Sequence, residues 1–321
     1  MSEFKLDRIL ELFFRGLKGE ALSIQKLSNQ YNVSTRSISR DISRLKIFLA
    51  DHRELLNNAE LIYSNKDRCY HLVLNEFLST KELFALIKVL IGCKALNYYE
   101  LTNLINKLKE HTSSSERQKL ESLIKKELYS YKSIYFDCHS ILDNLWELST
   151  YIESKQLITI QYYKKNRKQV CKKLIPLSII FSEYYYYLIA YETDDEKFTP
   201  KHFRIDRIIS IIGHNENFQL PTNKIFDEGF LRQRCQFMWP GELQKIKFEF
   251  SGPSVQAILD RIPTAKIIDK RDNTFIIEAE VFGNGIRMFL LSQGAWVKIL
   301  APESFITEMK EEITKLYNYY Q

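Results

Sequence analysis

Glycine and proline are scarce in this 321-residue chain, at 10 and 7 residues, which excludes collagen-like and linker-like readings. No apolar run reaches the roughly 18 residues that mark a membrane helix. The N-terminus, MSEFKLDRIL, mixes acidic residues in early and has no apolar stretch followed by small residues, so no secretory signal is expected. The five cysteines, Cys69, Cys93, Cys138, Cys171 and Cys235, are dispersed and form no C-x-x-C pair. An odd, scattered set fits reduced thiols in a cytoplasm better than a disulfide framework or a zinc site. Motifs of catalysis are missing too. There is no glycine-rich phosphate loop, no H-E-x-x-H and no G-x-S-x-G, and the lone G-x-G, Gly283-Asn284-Gly285, reads as a turn. His52, His71, His111, His139, His202 and His214 are scattered. The expectation is a protein that is not an enzyme and carries no cofactor or metal.

What is present describes a globular chain. Hydrophobic residues make up 45% and charged residues 27%, and 20 Phe with 19 Tyr are ample for several cores. The length suits two or three domains. The net charge of +6 is mild, but its distribution is not even. Lys155, Lys164, Lys165, Arg167, Lys168, Lys172 and Lys173 fall in one stretch that has no acidic residue.

Patterning divides the chain into four blocks and predicts an α+β multidomain fold. Residues 1–75 show short helical periods and then a hairpin. Residues 76–137 form a helical linker, in which Ser79 and Glu82 stand at capping-box spacing and Leu83, Leu86, Ile87, Leu90 and Ile91 recur at helical spacing. Residues 138–222 open with a helix near Ile141 to Ser154 and continue as short strands dense in Ile, Leu, Tyr and Phe, which suggests a small barrel. In residues 223–321 the order strand-helix-strand-strand-helix-strand, followed by a last helix, is the ferredoxin-like βαββαβ pattern.

The stretch LSIQKLSNQYNVSTRSISRDISRLKIFL carries the clearest functional signal. Ser23 caps a short helix, Tyr31-Asn32-Val33 turns, and Ser34 caps a second helix, giving a helix-turn-helix. At roughly 100° per residue, with Arg36 at zero, Arg40 falls near 40° and Arg44 near 80°. Ile38, Ile42, Leu45 and Leu49 fall at about 180–240°. One face is therefore a row of guanidinium groups and the other a core seam. Ser34, Thr35, Ser37 and Ser39 flank the basic edge, where short hydroxyl side chains permit close approach to bases or phosphates. The ordinary alternative is a solvated charged face. The segment AELIYSNKDRCYHLVL then alternates around the turn Asn65 to Arg68, as a wing does, and would bring Lys66 and Arg68 to backbone phosphates.

VSTRSISRDISRL resembles the recognition helix of the DeoR-like winged helix-turn-helix regulators, with Ser37 where that family usually has Thr. KKLIPLSIIFSEYYYYLIAY and the later FRIDRI resemble the WYL domain, a ligand-sensing module with an Sm-like small β-barrel. Tyr186-Tyr187-Leu188 stands at the W-Y-L position, with Tyr186 in place of Trp, and Phe203 to Ile208 matches the second string. The last block resembles the WYL C-terminal extension domain.

These resemblances imply a cytoplasmic transcriptional regulator, a homodimer on palindromic double-stranded operator DNA. They imply a nucleotide or single-stranded nucleic-acid effector near Arg204, and an association with anti-phage or DNA-repair genes. The candidate ligand residues are Tyr162, Arg167, Tyr186, Tyr187, Arg204 and Arg207, because a Tyr beside an Arg can stack a base and hold a phosphate. Against this stands the reading of most tyrosines as barrel core, and of Asp206 as a structural partner of a neighbouring arginine. Two other functions stay open: a sensor or scaffold that binds nucleic acid or nucleotides through the WYL domain but does not bind DNA, and a nucleic-acid-processing enzyme with an unrecognised site.

Overall fold

The computed structural model describes residues 3–53, 59–73, 78–110, 112, 114–220, 226–239 and 241–321. They form two compact units, residues 1–134 and 135–321.

The first unit begins with α1 (Glu3–Leu17), α2 (Ile24–Gln30) and α3 (Thr35–Asp51), followed by the antiparallel hairpin β1 (Glu60–Ser64) and β2 (Cys69–Val73). A single bridge between Leu22 and Tyr70 ties the α1–α2 connection to the edge of the hairpin. Leu12, Leu22, Leu27, Ile38, Ile42, Leu45, Leu49, Ala59 and Leu61 close one core. The α3 members of that core are those the helical period assigns to its inner face. One buried residue of α3 is charged: Asp41 is fully buried and pairs with Arg8 of α1, Nε to Oδ2 at 2.7 Å. The linker holds α4 (Thr80–Cys93), α5 (Tyr98–Lys109) and α6 (Ser114–Tyr129). Ser79 and Glu82 form the expected capping box on α4. Helices α4 and α5 are separate because Lys94 turns left-handed and Asn97 starts a new helix with its own capping box.

The second unit opens with α7 (Ile141–Glu153) and a five-stranded antiparallel sheet: β3 (Gln156–Tyr163), β4 (Gln169–Ser182), β5 (Tyr185–Glu192), β6 (Lys201–Arg204) and β7 (Ile208–Asn217). The strand order is β6-β5-β4-β3-β7. Ile158, Ile160, Leu174, Leu188, Ala190, Ile205 and Ile208 are buried in it. Helix α7 lies close on β7, where a Cβ at Gly213 would stand 2.3 Å from the Tyr151 ring and displace it. FRIDRIISII is not one strand. A 3-10 turn at Ile205–Arg207 separates β6 from β7, so side chains do not alternate strictly from Arg204 to Ile208.

A short helix, α8 (Glu228–Arg234), leads to β8 (Leu243–Phe250), α9 (Val255–Arg261), β9 (Lys266–Arg271), β10 (Thr274–Phe282), α10 (Gly285–Ser292), β11 (Val297–Ala301) and α11 (Glu303–Tyr319). These strands make an antiparallel sheet in the order β11-β8-β10-β9, in which each helix crossover skips one strand. Phe248, Phe250, Ile258, Ile277, Ile286, Leu290 and Phe305 fill the space between sheet and helices. Leu231, Cys235 and Met238, from α8 and the turn after it, pack on Ile180 and Ile189 of the five-stranded sheet. Among the described residues no helix is long and apolar enough to cross a membrane, and no cluster of His, Cys, Asp or Glu suits a metal ion.

Candidate nucleic-acid interface and candidate ligand site

The start of α3 is built by hydrogen bonds that its sequence dictates. Asn32 takes φ 52°, a conformation a short polar side chain tolerates. Ser28 donates its hydroxyl to Val33 O at 2.5 Å, closing the turn. Ser34 Oγ then accepts from Ser37 N at 3.2 Å and lies 2.9 Å from Ser37 Oγ. Ser34 and Ser37 therefore spend bonding capacity on the helix end, whereas Thr35 and Ser39 are exposed beside the arginines. Arg36, Arg40 and Arg44 are exposed and form no ion pair among the described residues. Successive arginines four residues apart rise about 6 Å along the helix axis. The outcome is a cationic row of about 12 Å on one face of α3.

At the hairpin tip, Lys66 and Arg68 are exposed, and Arg68 sits at φ 56°. The intervening Asp67 does not cancel them freely. Its carboxylate bonds His71 Nε2 at 2.7 Å, and bonds from Ser64 and then His71 hold its pKa below the usual carboxylate value. The nine candidate DNA residues thus fall on the start and outer face of α3 and on the hairpin tip.

In the second unit, Arg204 ends β6 directly opposite Tyr187 in the β5 ladder. Its Nε and Nη2 donate to Asp206 Oδ1 and Oδ2 at 3.1 and 2.6 Å, a two-point grip. Burial works against the charge of Arg204, but the Asp206 bonds outweigh it and hold the guanidinium pKa above its ordinary value. The guanidinium lies 3.5 Å from the centroid of Tyr185. Tyr185 in turn meets Tyr184 and Tyr187 edge to face, at 6.5 and 6.3 Å. Burial pushes the Tyr187 hydroxyl up to about 12, so it stays a neutral donor. Tyr162 is largely buried against Phe203, and its hydroxyl accepts from Arg204 N at 3.4 Å. A shallow open basin of about 470 Å³ is lined by Tyr162, Lys164, Lys165, Asn166 and Arg207.

The six candidate ligand residues are thus not all together. Tyr162, Tyr187, Arg204 and Arg207 belong to one neighbourhood around the β6–β7 corner. Tyr186 is one residue out of phase with Tyr187 and packs on Phe181, with ring centroids 5.0 Å apart. Arg167 is engaged elsewhere: Nη1 donates to both oxygens of Asp137, at 2.6 and 2.9 Å, and its guanidinium lies over Tyr135 at 4.9 Å. Tyr185, Lys164 and Lys165 stand in the same neighbourhood, outside the six candidates. Strand alternation with Tyr187 was the signal available for Tyr185, and the basic turn between β3 and β4 for the two lysines.

Residues 143–212 match the family described as WYL domain. Among solved structures, the chain is similar to Proteasome accessory factor B/C (PafBC) of Arthrobacter aurescens, at 17% identity over 96% of this chain and 47% of that chain, with a TM-score of 0.30. It is also similar to a protein described as CRISPR Cas-related, at 16% identity over 77% of this chain and 74% of that one, with a TM-score of 0.39. The chain spans about half the length of PafBC, and neither likeness is close enough to bear on activity. No curated protein matches the chain. The stretch that bears Tyr186-Tyr187-Leu188 and the Phe203 to Ile208 corner lies inside the matched residues, and this part of the chain is a WYL domain.

Proposed function

We propose that the protein is a ligand-responsive transcriptional regulator that binds operator DNA as a homodimer in the cytoplasm. The observation that carries this reading is the arginine row on α3. Arg36, Arg40 and Arg44 stay exposed and unpaired among the described residues, while Ile38, Ile42, Leu45 and Leu49 on the far side are buried. A solvated helix face often pairs its charges along the helix. This one has no acidic residue beside the row except Asp41, which is turned inwards to Arg8. In this reading residues 1–75 are a winged helix-turn-helix, α3 enters a major groove, and Lys66 and Arg68 reach phosphates from the wing. Residues 76–137 are the helical linker, 138–222 an Sm-like WYL barrel and 223–321 a ferredoxin-like extension.

The effector is a nucleotide or a short single-stranded nucleic acid. Arg204, Arg207, Lys164 and Lys165 supply positive charge for its phosphates, and Tyr185 and Tyr187 supply rings. The absence of catalytic motifs supports a binding protein over a processing enzyme, and an anti-phage or DNA-repair role follows the family resemblance.

Selection of binding sites from a random duplex pool tests the reading. Enriched sequences are expected to be palindromic, with half-sites one helical turn or a multiple apart, and light scattering is expected to give a dimer. A pool that enriches nothing supports the competing sensor or scaffold without DNA binding.

A further inference from the structure

The backbone carbonyl of Asp206 is doubly occupied. It accepts the amide of Asp137 at 2.9 Å and that of Cys138 at 3.0 Å. Residues 137 and 138 belong to the short segment through which the chain passes from the helical linker into the WYL domain. That segment is tied down a second time by side chains: Arg167 holds the Asp137 carboxylate and covers the Tyr135 ring. The side chain of the same Asp206 holds Arg204. One buried residue, 2% exposed and set in the 3-10 turn Ile205–Arg207, therefore joins the candidate ligand arginine to the segment that leads to the DNA-binding half of the chain.

We propose that Asp206 is the relay between the ligand site and the DNA-binding unit, and that Arg167 clamps the segment this relay moves. The inference rests on the reading of Arg204 as a phosphate-binding residue. Arg204 uses Nε and Nη2 on Asp206, and Nη1 makes no hydrogen bond among the described residues. A phosphate drawn to that open edge shares the guanidinium with Asp206 and weakens their pair. The carboxylate loses its anchor, the 3-10 turn reorients, and the carbonyl that holds residues 137 and 138 turns with it. The coupling is short: ligand arginine, one aspartate side chain, its own carbonyl, then the connecting segment. A ligand acts through it only by its differential affinity for the anchored and released turns.

Hydrogen exchange of the full chain, resolved at the amides of Asp137 and Cys138, tests the relay. Arg204→Ala should speed exchange of both amides by about tenfold, while the β3–β4 ladder amides stay protected and report an intact fold. The double variant Arg204→Ala/Asp206→Asn removes both charges and should speed them as well, which separates release of the turn from the burden of an unpaired buried charge. A 5′-phosphorylated oligothymidylate is the ligand probe. It should speed the same amides in the wild type and bind Arg204→Ala at least about tenfold more weakly. If the oligonucleotide binds in an Arg204-dependent way and leaves the two amides unchanged, the relay is refuted and the ligand site stands. If the variants release the amides but the oligonucleotide does not bind, the relay stands and the reading of the ligand is refuted. Unchanged amides in both variants refute the relay outright.

Discussion

Arg8→Ala is the substitution whose cost is best defined by the structure. Asp41 is fully buried, its Oδ2 takes both the Nε and the Nη2 of Arg8, and its Oδ1 has no hydrogen-bond partner among the described residues. Removing Arg8 leaves a carboxylate in the core with no counter-charge, which costs about 3–5 kcal/mol. For a unit of this size that corresponds to a fall of roughly 10–20 °C in its unfolding midpoint. Arg8→Met/Asp41→Leu removes the whole pair, and should recover most of the loss because apolar replacement of a buried ion pair is often neutral or better. The chain offers a clean assay. Its tryptophans, Trp146, Trp239 and Trp296, all lie in the second unit. Far-ultraviolet circular dichroism, which sees the helices of the first unit, should show the early transition in Arg8→Ala, while tryptophan fluorescence should keep its wild-type midpoint. If Arg8→Ala unfolds no earlier than a substitution at an exposed charge such as Lys18→Ala, the pair does not anchor α3, and the orientation of its arginine row needs another cause.

The wing should act through phosphate alone: Lys66→Ala/Arg68→Ala is expected to lower the salt slope of DNA binding by about 1.8, two contacts at about 0.9 each, without changing sequence preference. An unchanged slope places the hairpin tip off the DNA. Alkylation by iodoacetamide should be fast at exposed Cys171 and slow at Cys235 until the chain unfolds, because burial pushes the Cys235 thiol up to about 12. His202 is half-buried and its Nδ1 lies 2.8 Å from Met238 O, and desolvation lowers its pKa despite that bond. The unfolded chain then binds the extra proton, so the second unit should lose stability as pH falls below about 6.5. Tryptophan-monitored denaturation should show this loss in the wild type and a smaller one in His202→Gln.

Helical and strand periods in the sequence were enough to locate the buried face of α3, the capping box at Ser79 and the succession of elements after residue 240, because each depends on neighbours within one element. What depends on tertiary partners was not legible. Asp41 reads as one more charge on a charged helix, and its burial follows from Arg8, 33 residues away. FRIDRI has the composition of a strand, but the chain must turn there to pass from one edge of the sheet to the other, from β6 to β7. Arg167 sits in a basic run and looks available for a ligand until Asp137 is seen beneath it. Strand alternation does separate Tyr186 from Tyr187, but the packing of Tyr186 on Phe181 was not readable from it. In the candidate ligand neighbourhood, residue types were readable and their pairings were not.

The central claim is that the outer face of α3 reads duplex DNA, and the affinity of Arg36→Ala and Arg40→Ala for a selected operator tests it most directly. Both side chains are exposed, so folding should be unaffected. Each loss at a base contact should weaken binding by about 1–3 kcal/mol and relax preference at its own base pair. Wild-type affinity and unchanged sequence preference in both variants would contradict the account.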